Sequence, residues 1–340
     1  MFRDIVLQDT TAEEWPPLRE RIYRRVMSSM GTFPDVRVEP GVEVLEEYEK
    51  YGLRHVKVRF PVMPGEQGLA VIVLPDGVSE DKPAPAVLTI HGTSPERGKW
   101  GMLDLEGPKY RAYAIDLARR GFVTVSADQF CFGELLTQGE DIDRDVLRER
   151  YQNRMRSFAE RWPDWSLDGK RLSDHQRLLD ALETVPYIRQ GGFGAIGNSL
   201  GGRTVMYLAA LEQRITAAVP SCGISPNLTN VWRSVPSKRE WKLSPKWEEH
   251  FLRNGGQMLF DYQDMIALTA PRALLVLEPY NDALNTHMDA NFNCYVRGQK
   301  AYSLVGKPES FATLTHGDGH GIPPDVREFA YRWFDRFLAK

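Results

Sequence analysis

The sequence predicts an α/β fold, a doubly wound and mostly parallel sheet with helices on both faces. Three observations carry this. Short apolar runs such as Ala86-Val87-Leu88-Thr89-Ile90 and Phe122-Val123-Thr124-Val125-Ser126 have no polar face, the mark of strands buried on both sides. Stretches of helical periodicity separate these runs, and strands that alternate with helices assemble into parallel sheets. The length also fits: 340 residues, 42% of them hydrophobic, can bury a large core without disulfide staples.

A first helix is expected over 12–29, where Leu18, Ile22 and Val26 share a face. Residues 43–60 and 68–74 read as extended. In the second stretch Leu69, Val71 and Val73 alternate with Ala70 and Ile72, and Pro75-Asp76-Gly77 closes the run. The strand at 86–90 is followed by a helical stretch near 108–119 and the strand at 122–126. Leu178, Leu179, Leu182 and Val185 place a helix over 174–186. Phe193-Gly194-Ala195-Ile196 is a strand that runs into a helix at 199–211. Strands at 217–220 and 273–277, a helix near 285–299 and a strand near 310–315 follow. The final helix, 325–338, carries one apolar stripe of Val326, Phe329, Ala330, Trp333, Phe334, Phe337 and Leu338. Asp325, with Glu328 three residues on, reads as its capping-box-like start.

Two segments break the alternation. Residues 131–170 are long and charged, with Trp162 and Trp165 near their end, and residues 222–268 hold Trp232, Trp241 and Trp247. Both leave from C-terminal ends of strands, where open α/β sheets bind ligands. They are read as a split cap, with packing against a neighbouring subunit as the alternative. The domain organisation expected is a single domain over 1–340, with 1–60 as an N-terminal extension. Aromatic residues in the cap segments, with Phe130 and Phe132, suit a partly enclosed, mainly apolar pocket for a small or aromatic substrate. The arginines between Arg144 and Arg161 are matched by nearby acids and read as a solvated helix face.

Composition excludes several classes. With 43 basic and 46 acidic side chains the net charge is -3, so nucleic acid is not an expected partner. No stretch approaches the ~20 apolar residues of a membrane span. The start, Met1-Phe2-Arg3-Asp4-Ile5, lacks the apolar core of a signal peptide. Three cysteines, Cys131, Cys222 and Cys294, are odd in number and far apart, which fits a reducing compartment; a cytoplasmic location is expected. Assembly of identical copies is left open.

Gly197-Asn198-Ser199-Leu200-Gly201 matches G-x-S-x-G, with a strand leading in and Gly201-Gly202 opening a helix. A sharp strand-to-helix turn needs glycines around the serine. It would set the hydroxyl at a helix N-terminus, where developing negative charge is favoured. A serine hydroxyl needs a base, and on such a scaffold the order is Ser, acid, His. His320 sits between glycines in Asp318-Gly319-His320-Gly321, on a loop before the last helix, and is placed ahead of His316, which lies nearer the strand. His250 and His287 lie in charged, helical surroundings and are read as structural. Asp282 is far enough out on its loop to reach a histidine, whereas Glu278 is flush with the strand and is the alternative acid. The oxyanion donors expected are the backbone N–H groups of Leu200 and Thr93, with His91 a structural residue under the loop.

A metal site at His316-x-Asp318-x-His320, joined by Asp282, is a rival, but no third histidine or cysteine lies near in sequence. No nucleotide-binding motif follows a strand. No metal and no cofactor is therefore expected.

The residues Leu88-Thr89-Ile90-His91-Gly92, Ala118-Arg119-Arg120-Gly121-Phe122-Val123, Gly197-Asn198-Ser199-Leu200-Gly201-Gly202, Ala270-Pro271-Arg272-Ala273-Leu274-Leu275 and Gly319-His320-Gly321 resemble an α/β-hydrolase. The likeness is to the dienelactone hydrolase and acetyl xylan esterase-like branch, from about residue 15 to the end. The resemblance implies nucleophile, acid and base at Ser199, Asp282 and His320, with no metal or organic cofactor. Where that branch commonly shows Gly-Glu/Asp before the acid, this chain has Tyr280-Asn281. The function expected is hydrolysis of a small-molecule carboxylic ester through an acyl-enzyme. Cleavage of an amide or carbon–carbon bond, or a silent binding protein on the same scaffold, are the alternatives.

Overall fold

The computed structural model describes residues 9–107, 111–226, 260–284 and 287–339. The described strands are β1 (Glu43–Lys50), β2 (Leu53–Met63), β3 (Glu66–Leu74), β4 (Ala84–Ile90), β5 (Val123–Ala127), β6 (Ile188–Asn198), β7 (Ile215–Ser221), β8 (Ala273–Pro279) and β9 (Phe311–His316). They form one sheet in the order β1-β2-β3-β5-β4-β6-β7-β8-β9. β1 to β3 are an antiparallel meander and β3 is antiparallel to β5. From β5 through β9 every pairing is parallel. Residues 43–60, expected as part of an extension, thus supply β1 and most of β2 to the sheet.

The helices are α1 (Trp15–Met30), α2 (Trp100–Leu103), α3 (Tyr113–Arg119), α4 (Glu134–Thr137), α5 (Arg144–Arg161), α6 (Leu167–Leu182), α7 (Leu200–Leu211), α8 (Tyr262–Thr269), α9 (Met288–Leu304) and α10 (Pro324–Phe337). Alternation along each strand sends side chains to two cores. Leu88 and Ile90 of β4 and Leu274 and Val276 of β8 face one core, shared with α1, α6, α7 and α8. Val87, Leu275 and Leu277 face the other, shared with α3 and α10. Both faces of the central strands are therefore dry, which is why those strands read as unbroken apolar runs.

Local chemistry sets several boundaries. α6 starts earlier than the 174–186 periodicity implied, because the hydroxyl of Ser166 accepts the N–H of Gly169 at 2.9 Å. The capping box expected at Asp325 does not form. α10 begins at Pro324, after Pro323, with no side-chain cap. Proline presets the helical dihedral and has no N–H to satisfy, so the start needs no box. Glu328 instead accepts from Arg332 at 3.2 Å and pairs with Arg120. Phe329 is 56% exposed, so the apolar stripe is narrower than the sequence implied.

The two interrupting segments differ in character. In 131–170, Cys131, Met155, Phe158, Trp165 and Leu167 join Met63 and Phe130 in a satellite core. In 222–268, residues 227–259 lie outside the described residues, with Trp232, Trp241, Trp247 and His250 among them. The segment's end, α8, is buried at every position and belongs to the main core, not to a cover.

Candidate active site

β6 delivers Ser199 to the C-terminal edge of the sheet, between β4 and β7. Ser199 adopts φ +60° and ψ -120°, a conformation a non-glycine residue holds only at about 1–3 kcal/mol. Its backbone is pinned at both ends. Its N–H donates to the Ser221 carbonyl at 2.8 Å, and its carbonyl accepts the N–H of Arg203 at 2.9 Å. The close turn also explains the flanking glycines. A Cβ on Gly201 would lie 2.1 Å from the Ile90 carbonyl oxygen, and one on Gly197 would lie 2.6 Å from the Gly201 backbone. Neither position tolerates a side chain without moving main chain.

The loops after β8 and β9 bring an acid and a histidine together. His320 Nδ1 lies 2.7 Å from Asp282 Oδ2, and the Asp282 side chain is wholly buried. The other oxygen of Asp282 accepts the N–H of Leu284 at 2.8 Å. A carboxylate only accepts, so Nδ1 is the donor, and in the neutral imidazole the lone pair is then on Nε2. Asn281, where the resembled branch commonly has an acid, clasps the histidine loop: its Nδ2 donates to the Gly317 carbonyl at 2.5 Å, and its Oδ1 accepts the Gly319 N–H at 2.9 Å. Gly319 at φ +68° provides the turn.

The other candidates point elsewhere. Glu278 is buried in β8 and accepts the hydroxyl of Tyr295 at 3.3 Å. His316 ends β9, with Nδ1 accepting the N–H of Asp318 at 3.3 Å. Burial holds its imidazole below the ordinary range, against the pull of Asp318. His287 precedes α9.

The loop after β4 passes close by the serine. A Cβ on Gly92 would stand 3.5 Å from the Ser199 Cβ. Thr93 borders the same cavity as Ser199, as does Leu200, the first residue of α7, whose N–H has no intrahelical acceptor. Beneath the loop, His91 is buried and its Nε2 accepts the N–H of Gln129 at 3.0 Å. Its Nδ1 then donates to the Gly92 carbonyl at 2.7 Å. Burial pushes this imidazole down to about 3, so it stays neutral. Gln129 also donates to the His91 carbonyl at 2.6 Å and accepts the hydroxyl of Thr204 on α7 at 2.7 Å. Sequence reading missed this clamp, because nothing local to Gln129 signals it.

Ser199, His320, Thr93 and Leu200 open onto one cavity of about 380 Å³. Phe132, Tyr151 and Tyr262 supply aromatic wall, but so do Arg111, Arg171 and Arg203 supply charge. Among the described residues the lining is thus mixed, charged as well as aromatic, where a mainly apolar one was expected. Trp162 and Trp165 do not border it; they pack edge to face at 6.3 Å, with Trp165 in the satellite core. These two rings serve packing because a second small core lies beneath α5, whereas Phe132 and Tyr151 of the same segment reach the cavity.

Among the described residues, Cys222, Asp282 and His320 form the one His/Cys/carboxylate group with ligand atoms within 4.8 Å of one another. His316 is not in it, so the His316-x-Asp318-x-His320 grouping does not form. A cysteine distant in sequence does approach, which spacing alone did not reveal. Burial pushes the Cys222 thiol far up, and metals bind the thiolate.

Comparison with known proteins adds a family. The sequence pattern described as the Abhydrolase family matches residues 4–324. YtaP of Bacillus subtilis (strain 168), whose name gives it provisionally as a hydrolase, is 22% identical over 327 residues, covering 94% of this chain and all of YtaP. A 4-O-methyl-glucuronoyl methylesterase 1 of Wolfiporia cocos (strain MD-104) is 26% identical over 180 residues, 48% of this chain and 44% of that protein. The structure of a glucuronoyl esterase from Solibacter usitatus superposes with a TM-score of 0.71 at 15% identity, covering 98% of this chain and 97% of the other. At that identity the likeness is one of fold.

Proposed function

The chain belongs to the Abhydrolase family, and on that premise we propose that it is a carboxylic ester hydrolase, with Ser199, His320 and Asp282 as its nucleophile, general base and orienting acid. The observation that carries this reading is the pairing of His320 with buried Asp282 at 2.7 Å beside a cavity that Ser199 enters from a strained elbow. His320 Nε2 takes the proton of Ser199 as Oγ attacks the ester carbonyl, and Asp282 stabilises the imidazolium. The N–H groups of Leu200 and Thr93 receive the oxyanion. His320 then protonates the leaving alcohol, and water, activated by the same imidazole, releases the acid from Ser199.

The cavity volume and its aromatic side chains favour small or aromatic esters over long acyl chains. A fluorophosphonate probe tests the chemistry: the phosphonyl adduct is expected on the peptide bearing Ser199, with parallel loss of ester hydrolysis. Unabated hydrolysis after complete labelling, or an adduct on another residue that tracks the loss, contradicts it. Rates along p-nitrophenyl esters from acetate to palmitate should peak at the short end; a peak at palmitate removes the size limit.

A further inference from the structure

We propose that Arg171 and Arg203 form an anion subsite in the Ser199 cavity, which selects esters bearing a second, free carboxylate. This rests on the reading of Ser199 as nucleophile and specifies its substrate class. Arg171, on α6, is 5% exposed, and Arg203, on α7, stands one turn beyond Ser199; both border the cavity. Both lean on one carboxylate. Arg203 Nη2 is 2.6 Å from Asp168 Oδ2, while Arg171 Nη1 is 3.4 Å from Asp168 Oδ1, at the outer limit of a hydrogen bond.

Two guanidinium charges thus face a single negative one. Arg203 lies over the ring of Tyr207 and Arg171 over the ring of Phe132, each at 5.8 Å. The Nε atoms of both are buried without a partner. Arg111 adds a third cation at the exposed rim, and among the described residues no Asp or Glu borders the cavity. A guanidinium presents its donors in a planar fork that matches a carboxylate, so a carboxylate bound in the cavity supplies the missing charge. Because α7 ties Arg203 to Ser199 within one turn, about 6 Å along the axis, the anion lies only a few bonds from the scissile carbonyl. It can belong to the acyl part or to the alcohol.

Matched ester pairs test this. For the alcohol side the pair is 4-acetoxybenzoate and its methyl ester; for the acyl side it is monomethyl glutarate and methyl valerate. The readout is the ratio of kcat/KM, anionic over neutral, taken on one protein sample so that any unfolded fraction cancels. In the wild type at least one pair is expected to give a ratio above about tenfold, and the responding pair identifies the side. Arg171→Met and Arg203→Met should each lower that ratio about tenfold or more. Independently of any variant, benzoate should inhibit the wild type competitively at concentrations where benzamide does not. Ratios at or below one in both pairs, or a ratio that neither variant moves, overturn the subsite. Failure of the underlying reading shows differently, as ester hydrolysis that survives Ser199→Ala.

Discussion

His320 Nδ1 and Asp282 Oδ2 stand 2.7 Å apart across 38 residues of sequence, on neighbouring loops of parallel strands. Asp282 spends its second oxygen on the N–H of Leu284, so the carboxylate is fixed before it meets the imidazole. Glu278, four residues earlier and just as buried, meets the hydroxyl of Tyr295 on α9 instead. Burial does not distinguish these two acids; direction does.

Asp282→Asn should therefore lower kcat by about 10³–10⁴-fold, because an amide that donates to Nδ1 favours the wrong tautomer. Glu278→Gln, which still accepts from Tyr295, should stay within about tenfold of wild type. Steady-state kinetics on one short ester separates them, and the reverse ranking transfers the acid role to Glu278.

His320→Ala should cost at least about 10³-fold in kcat, whereas His316→Ala should cost less than about tenfold. His316 is engaged by the Asp318 N–H and lies at the end of β9, away from the cavity wall. Equal losses would mean that His316 takes part in proton transfer.

Stability should fall on acidification. Burial holds His91 near 3 and His175 near 4, below the ~6.5 of an unfolded histidine. Below about pH 6.5 the unfolded chain takes up protons that the fold refuses, so stability is complete above that pH. It is lost toward pH 4 and 3, at up to about 1.4 kcal/mol per pH unit per histidine. Asp128 and Asp174, held above the ordinary carboxyl range by burial, act in the opposite sense at acid pH. The histidine share is thus read as the difference between wild type and His175→Gln in urea unfolding at pH 7 and pH 4.5. The variant should lose less stability over that interval; identical losses contradict neutral burial of His175.

Much of the fold was legible because its central strands are buried on both faces. The middles of β4, β6 and β8 (residues 86–88, 193–196 and 273–277) are runs of apolar residues and glycine, too short for a helix. Ser199 stood out because the sharp turn leaves a glycine signature that is local in sequence. Asp282 and His320 were singled out by distance from their strands, and the structure sets them side by side. Contacts between distant segments were not legible. Arg171 meets the cavity only because α6 packs beside α7, and the clamp between Gln129 and His91 joins loops 38 residues apart. Arg203 could have been noticed, since four residues after Ser199 on a helix is the same face one turn on. The capping box failed because Pro324 starts α10 without needing one, and Trp165 was misplaced because a satellite core is invisible to periodicity.

The ester-hydrolase chemistry is tested most directly by Ser199→Ala, with single-turnover hydrolysis of a short ester measured beside thermal unfolding. Loss of the hydroxyl should lower the rate by about 10⁶-fold while the melting temperature holds or rises, since alanine keeps the elbow and loses only a polar group. A folded variant that retains more than a few per cent of wild-type turnover would exclude Ser199 as the nucleophile.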